Sequence, residues 1–277
     1  MLRRSDLRDA WLLARVELAA TWRRISDDRR QLAGIGLGVL QFAVVLPALF
    51  FAQATAFGRD LTGATPPVGT VGALCLGAAV AGVYLGSMSA ISQNRIGSVG
   101  PLIRTSVPPA AVSAGRIASE TVQGTVLFVV PTLATLVEIG IGAGGPLAPL
   151  SLGVGLFVFV IAGLFLGRTL GAAARYAGVL ARLSAPAKAV GFLVVMVGIF
   201  LGSQAAIQAV LPEDADFGVS VSIPAFLPGE PIQAAVTVLL APLGADVRPL
   251  GVAALAAVVV AVPLFLAAAV RAETAVL

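Results

Sequence analysis

Two carboxylates stand at the ends of one apolar run. Glu120 and Glu138 bracket a stretch, residues 119–141, that is otherwise free of charge. An acid inside a membrane segment points to a proton relay or an ion path, because burying it without a task is expensive. Both lie near the ends of the run, where a carboxylate reaches interfacial water, so they also fit as plain interfacial acids. Gln41 and Gln53 in an earlier apolar run, and Gln204 and Gln208 in a later one, add further polar groups. These suit either the lining of a polar path or hydrogen-bonded pairs between helices.

Other chemistry is missing. Histidine is absent, which removes the commonest metal ligand and general base. The single cysteine, Cys75, lies in an apolar run and has no partner for an intramolecular disulfide. The only lysine, Lys188, sits in SAPAKAV and not in a glycine-rich phosphate loop. No metal-ligand spacing and no Gly-x-Ser-x-Gly elbow occur. The chain is expected to be no enzyme and to bind no cofactor itself.

The elements that must position these residues are six apolar stretches near 32–57, 68–91, 119–141, 148–167, 187–211 and 250–270. Each is close to or above the roughly 20 residues a helix needs to cross a ~30 Å hydrocarbon core. Threading the chain through six times from an inner N-terminus puts 16 of the 18 Lys/Arg inside; only Arg59 and Arg248 fall outside. Basic residues are retained on the cytoplasmic side, so the asymmetry sets the orientation. The expectation is an all-α polytopic membrane protein with six transmembrane helices, in the plasma membrane, with both termini inside. No cleavable signal peptide is expected, because the N-terminus is charged and lacks a short apolar core.

Composition agrees. Hydrophobic residues make up 58% and charged residues 12% of the chain; a soluble domain carries about twice that charged fraction. The net charge of +4 does not imply nucleic acid. The basic residues sit at helix feet, where they meet anionic headgroups. The strong preference for arginine over lysine, with much Ala, Gly and Val, suggests a GC-rich prokaryotic genome.

Residues 6–25 read as an amphipathic helix on the inner membrane surface. Leu7, Trp11, Ala14, Leu18, Trp22 and Ile25 recur at helical spacing, with Arg8, Arg15, Arg23 and Arg24 largely off that stripe. A soluble helix packed on a partner is the alternative. Ser26, Asp27 and Asp28 are N-cap candidates for the first span. Gly82 and Gly86, and Gly163, Gly167 and Gly171, recur four apart, where a neighbouring backbone can come close.

The inner loop from Gln93 to Arg116 is the most distinctive polar segment. Pro101 suits the first turn of a short helix, which Pro108 and Pro109 would end. Such a helix, Pro101 to Val107, presents Leu102 and Ile103 on an apolar patch and Arg104, Thr105 and Ser106 on a polar one. A short, stiff helix of this kind suits docking into a partner; an ordinary loop with topology-anchoring arginines is the alternative. A second inner loop, near Arg168 to Lys188, carries four basic residues and no acid. The outer segment 212–249 contains residues 231–241, too short to span and too apolar for free solvent, which reads as a re-entrant or interfacial helix bounded by Pro231 and Gly244.

At the inner loop the chain resembles the permease subunits of ABC-2 type transporters. Gly97, Ser98 and Val99 match the first part of that family's loop motif, and Leu102 and Ile103 its leucine pair. Thr105 and Val107 flank Ser106 where proline is usual, and Arg116 supplies the basic residue before the third span. Gly100 stands in place of a glutamate, and Gln93, Asn94 and Arg95 in place of an acidic stretch. The resemblance implies an interfacial helix over 1–30 and a six-helix transmembrane domain over 31–277. It makes 93–117 the coupling loop, with Gly97, Pro101, Leu102, Ile103, Arg104, Thr105, Val107 and Arg116 as its residues. It also implies a separate ABC ATPase subunit that binds the ATP, a second permease copy or a sister permease, and export as the direction of transport. Membrane lipids are the remaining partner. A secondary transporter or channel, or an assembly scaffold without an ATPase, are the other classes the residues allow.

Overall fold

The computed structural model describes residues 4–64, 66–92, 107–176 and 229–275, and all regular structure among them is helical. The chain opens with α1 (Arg4–Asp27) and continues through α2 (Arg29–Leu40), a π-helical turn (Gln41–Val45) and α3 (Leu46–Leu61). Next come α4 (Val68–Ser92), α5 (Pro109–Ala143) and α6 (Leu147–Tyr176). A short helix α7 (Gly229–Leu239), a 3-10 turn (Ala241–Leu243) and α8 (Pro249–Thr274) complete it. The stretches 68–91, 148–167 and 250–270 fall in helices long and apolar enough to cross a bilayer: Val68–Ile91, Leu147–Arg175 and Pro249–Thr274. The stretch 187–211 lies outside the described residues.

Local chemistry explains the boundaries. Asp28 is the only non-helical residue between α1 and α2, and its Oδ1 accepts the Arg30 N–H at 2.9 Å, the cap expected there. The stretch 32–57 is helical but not uniform. Pro47 opens α3 and cannot donate to the turn before it, and the wider π turn sits immediately ahead. Helix α5 ends at Gly144, whose φ of 71° lets the Gly145 N–H return to the Gly140 carbonyl at 3.1 Å. The short apolar helix expected over 231–241 is present as α7, and Gly244 turns the chain after it with φ 94°.

Two expected loops are shorter than the sequence reading. Helix α5 starts at Pro109, so residues 109–117 are helical and Arg116 stands on a helix; a proline suits a first turn as well as it ends one. Helix α6 runs on to Tyr176, so Arg168 and Arg175 are helical and not loop residues.

The helices α4 and α6 form the closest pair. A Cβ on Gly82 would strike the backbone of Val160, Gly163 and Leu164, one on Gly86 that of Leu164 and Arg168, and one on Gly167 that of Val83. Ser87 Oγ adds a bond to the Gly167 carbonyl at 3.0 Å. Between apolar helices in lipid, such backbone approach supplies the packing that hydrophobic burial cannot. The matched order of contacts makes α4 and α6 parallel. Helix α3 meets α5 in the same manner, through Gly58 against Ile139 and Gly142 against Thr55.

These contacts set two ends. At the upper end α3 and α5 finish and α4, α6 and α8 begin. There α7 packs against Gly72 of α4, Gly155 of α6 and Gly251 of α8. The larger core lies at this end, around Phe57, Leu61, Val71, Cys75, Ile139, Leu152, Val236 and Leu240. At the lower end α4, α6 and α8 finish and α5 begins, with α1 against it. A smaller core of Ile117, Phe165, Ala269 and Val270 sits there.

Candidate functional site: a buried charge cluster at the lower end

Four helices bring ionic and hydroxyl groups to one point. Arg168 of α6 is only 1% exposed, and its guanidinium reaches three groups from three other helices. Nη1 pairs with Glu273 Oε1 of α8 at 3.2 Å. Nη2 donates to Ser89 Oγ of α4 at 2.6 Å and pairs with Glu120 Oε2 of α5. Ser89 Oγ in turn donates to Glu120 Oε2. One turn before, Arg116 Nε holds Glu120 Oε1 at 3.1 Å. Two arginines thus face two carboxylates, so the cluster is neutral as a set; Arg168 and Glu273 are shielded from water, whereas Arg116 and Glu120 stay partly exposed.

Position follows from the helix pitch. Gly167 and Gly171 let α6 press against α4, and Arg168, beside them, is carried into the same seam facing Ser89. Arg116 and Glu120 are four apart and share a face of α5. Glu273 stands in the last turn of α8, where burial at 6% exposure leaves Arg168 as its ionic partner.

Further bonds extend the cluster. Ser119 Oγ donates to Glu17 Oε2 of α1 at 2.6 Å, which ties the N-terminal helix to α5. Ala10 and Leu13 of α1 lie against Gly115. Arg175 Nη1 donates to the Ala90 carbonyl at the end of α4 at 3.0 Å. Thr274 and Ser113 join the end of α8 to the start of α5 at 3.3 Å. The set ties the start of α5 to α1, α4, α6 and α8 through ion pairs and hydrogen bonds.

The residues singled out from sequence are distributed unevenly. Glu120 and Arg116 meet in the cluster. Glu138 lies far along α5, 8% exposed, with its Oε2 buried and unpartnered. Gln53 on α3 also carries a buried Oε1 without a hydrogen bond. Gln41 is exposed in the π turn, and Val107 is half-buried just ahead of α5. Gly97, Pro101, Leu102, Ile103, Arg104, Thr105, Gln204 and Gln208 lie outside the described residues. No group of His, Cys, Asp and Glu fit to hold a metal occurs among the described residues.

Arg168, Glu273, Ser89 and Glu17 were not legible as a site. One signal did exist. The glycine spacing runs past Arg168 to Gly171, which already places that arginine on a packed helix face. Comparison of the chain with family models, curated proteins and solved structures returned no match.

Proposed function

We propose that this chain is the membrane-spanning permease subunit of an ATP-driven ABC transporter of the ABC-2 type, an exporter coupled to separate ATPase subunits. The observation that carries the reading is the joint at the lower end. The inner loop, whose residues resemble a coupling element, leads directly into Pro109 of α5. Arg116 and Glu120, two and three turns on, connect that helix to α6 and α8 through Arg168 and Glu273. Closure of an ATPase pair against the loop would move α5, and the charge cluster would carry the motion to three further helices. A path between two permease copies would then open to alternate sides.

Helix direction supports six spans. Helices α4, α6 and α8 run one way and α3 and α5 the other. Tyr176 ends α6 at the lower end, whereas α7 sits at the upper end. The apolar stretch 187–211 lies between them in the sequence and has the length of a fifth span. We read the lower end, where α4 and α6 finish just ahead of the basic stretches of the sequence, as the cytoplasmic side.

The test is co-purification. The chain should bring down an ATPase, and Leu102→Asp should sharply weaken that association by placing an unpaired carboxylate in an apolar contact. Membrane insertion should be unchanged, because the loop lies outside the bilayer. Undiminished capture by the Leu102 variant, or ATP hydrolysis by the chain alone, would sink the reading.

One observation favours a second reading, a secondary transporter or channel. Glu138 is a buried acid with an unpartnered oxygen, and such a group suits a substrate or ion path.

A further inference from the structure

Around the axis of α1, Arg8, Arg15 and Arg23 are set apart from the acids, while Arg24 falls on the acids' side. The side turned to α5 carries Ala10 and Ala14, both buried, and Glu17, bonded to Ser119. The free side is different. At 3.6 residues per turn, Trp11, Trp22, Arg15, Arg8 and Arg23 fall within an arc of about 120°. Trp11 is 61% and Trp22 68% exposed, and the three arginines are exposed between and beside them. The acids of α1, namely Asp6, Asp9, Glu17 and Asp27, all lie outside that arc. The sequence stripe that joined Trp11 and Trp22 to Ala14 is thus divided, with Ala14 turned to protein and the tryptophans left free.

We infer that this face of α1 is a binding surface for anionic phospholipid headgroups of the inner leaflet. Indole rings rest at the boundary between headgroups and acyl chains. Arginines at the same level meet headgroup phosphates and, with no acid on the arc, favour lipids of net negative charge. The placement agrees, since α1 lies beside Gly115 and Ser119 at the lower end and passes through Asp28 alone into α2. The inference rests on the reading that the lower end is cytoplasmic. The consequence is a lipid-held lever: the membrane surface grips α1, and Glu17 transmits that grip to α5.

The chain holds only two tryptophans, and both are on this face. Their emission therefore reports α1 alone in the intact protein. The full chain would be reconstituted in zwitterionic bilayers doped with an equal fraction of either brominated phosphatidylglycerol or brominated phosphatidylcholine. Brominated phosphatidylglycerol should quench more strongly, by roughly twofold or more, and added salt should reduce the excess. Joint Arg8→Gln, Arg15→Gln and Arg23→Gln substitution should lower its quenching to the phosphatidylcholine level while leaving the latter unchanged. Equal quenching of the native protein by both lipids would overturn the anionic preference. No quenching by either would overturn the inference and leave the face to a protein partner. Neither readout involves the ATPase, so a failed ATPase pull-down with preferential quenching intact would reject the permease reading alone.

Discussion

Arg168 and Glu273 are 105 positions apart in the chain and 3.2 Å apart in space, 1% and 6% exposed. Each is the other's means of remaining charged away from water. Glu120 and Ser89 complete the shell on the opposite edge of the guanidinium.

Removing one member of such a set leaves an uncompensated buried charge. Arg168→Met should lower stability by about 3–5 kcal/mol. Replacing Arg168, Glu120 and Glu273 together with apolar residues should recover much of that loss. Thermal unfolding in detergent, compared across the single and triple variants, gives the answer. Additive losses would mean that the three side chains are not coupled.

The α4–α6 seam has no room for side chains. Gly86→Val should disrupt folding, because its Cβ meets the Leu164 and Arg168 backbone. Gly36→Ala in α2, with nothing within 4 Å, should be tolerated and should even favour the helix by up to about 1 kcal/mol. Yield of monodisperse protein after solubilisation separates the two.

Cys75 is fully buried and is the chain's only thiol. A thiol-reactive fluorophore should leave the folded protein dark and label it on global unfolding, making the native chain its own reporter. Rapid labelling below the unfolding transition would contradict the packing of α4 against α6 and α7.

Orientation is tested with new cysteines in a Cys75→Ala background. Asp214→Cys should react with an impermeant reagent on intact cells, and Ser98→Cys should not. The reverse pattern would invert the topology.

Glu138 carries a buried oxygen without a partner. Glu138→Leu should raise stability, by about 1–3 kcal/mol, since an unsatisfied acceptor is removed. Loss of stability instead would show that the carboxyl is bonded in the native fold. Transport measured beside stability decides whether Glu138 serves a path: a stabilised but inactive variant would mark it as functional.

The sequence alone determined that the chain is helical and carries helices long and apolar enough to cross a membrane, because hydrophobic run length is summed over many residues and survives any local error. It also offered Ser26, Asp27 and Asp28 as caps, of which Asp28 serves, and Gly82, Gly86, Gly163, Gly167 and Gly171 as points of close approach, since capping and the absence of a side chain act over a few residues. Arg168 read only as a basic residue of the second inner loop, and Glu273 was not singled out at all. Their pairing depends on the parallel course of α6 and α8 and on where α5 crosses them, a relation between segments that no local pattern carries. The same holds for α1. Its periodicity marked an amphipathic helix, but two faces were apolar enough to pack. Only the approach of Gly115 decided that Ala10 and Ala14 turn to protein and the tryptophans do not.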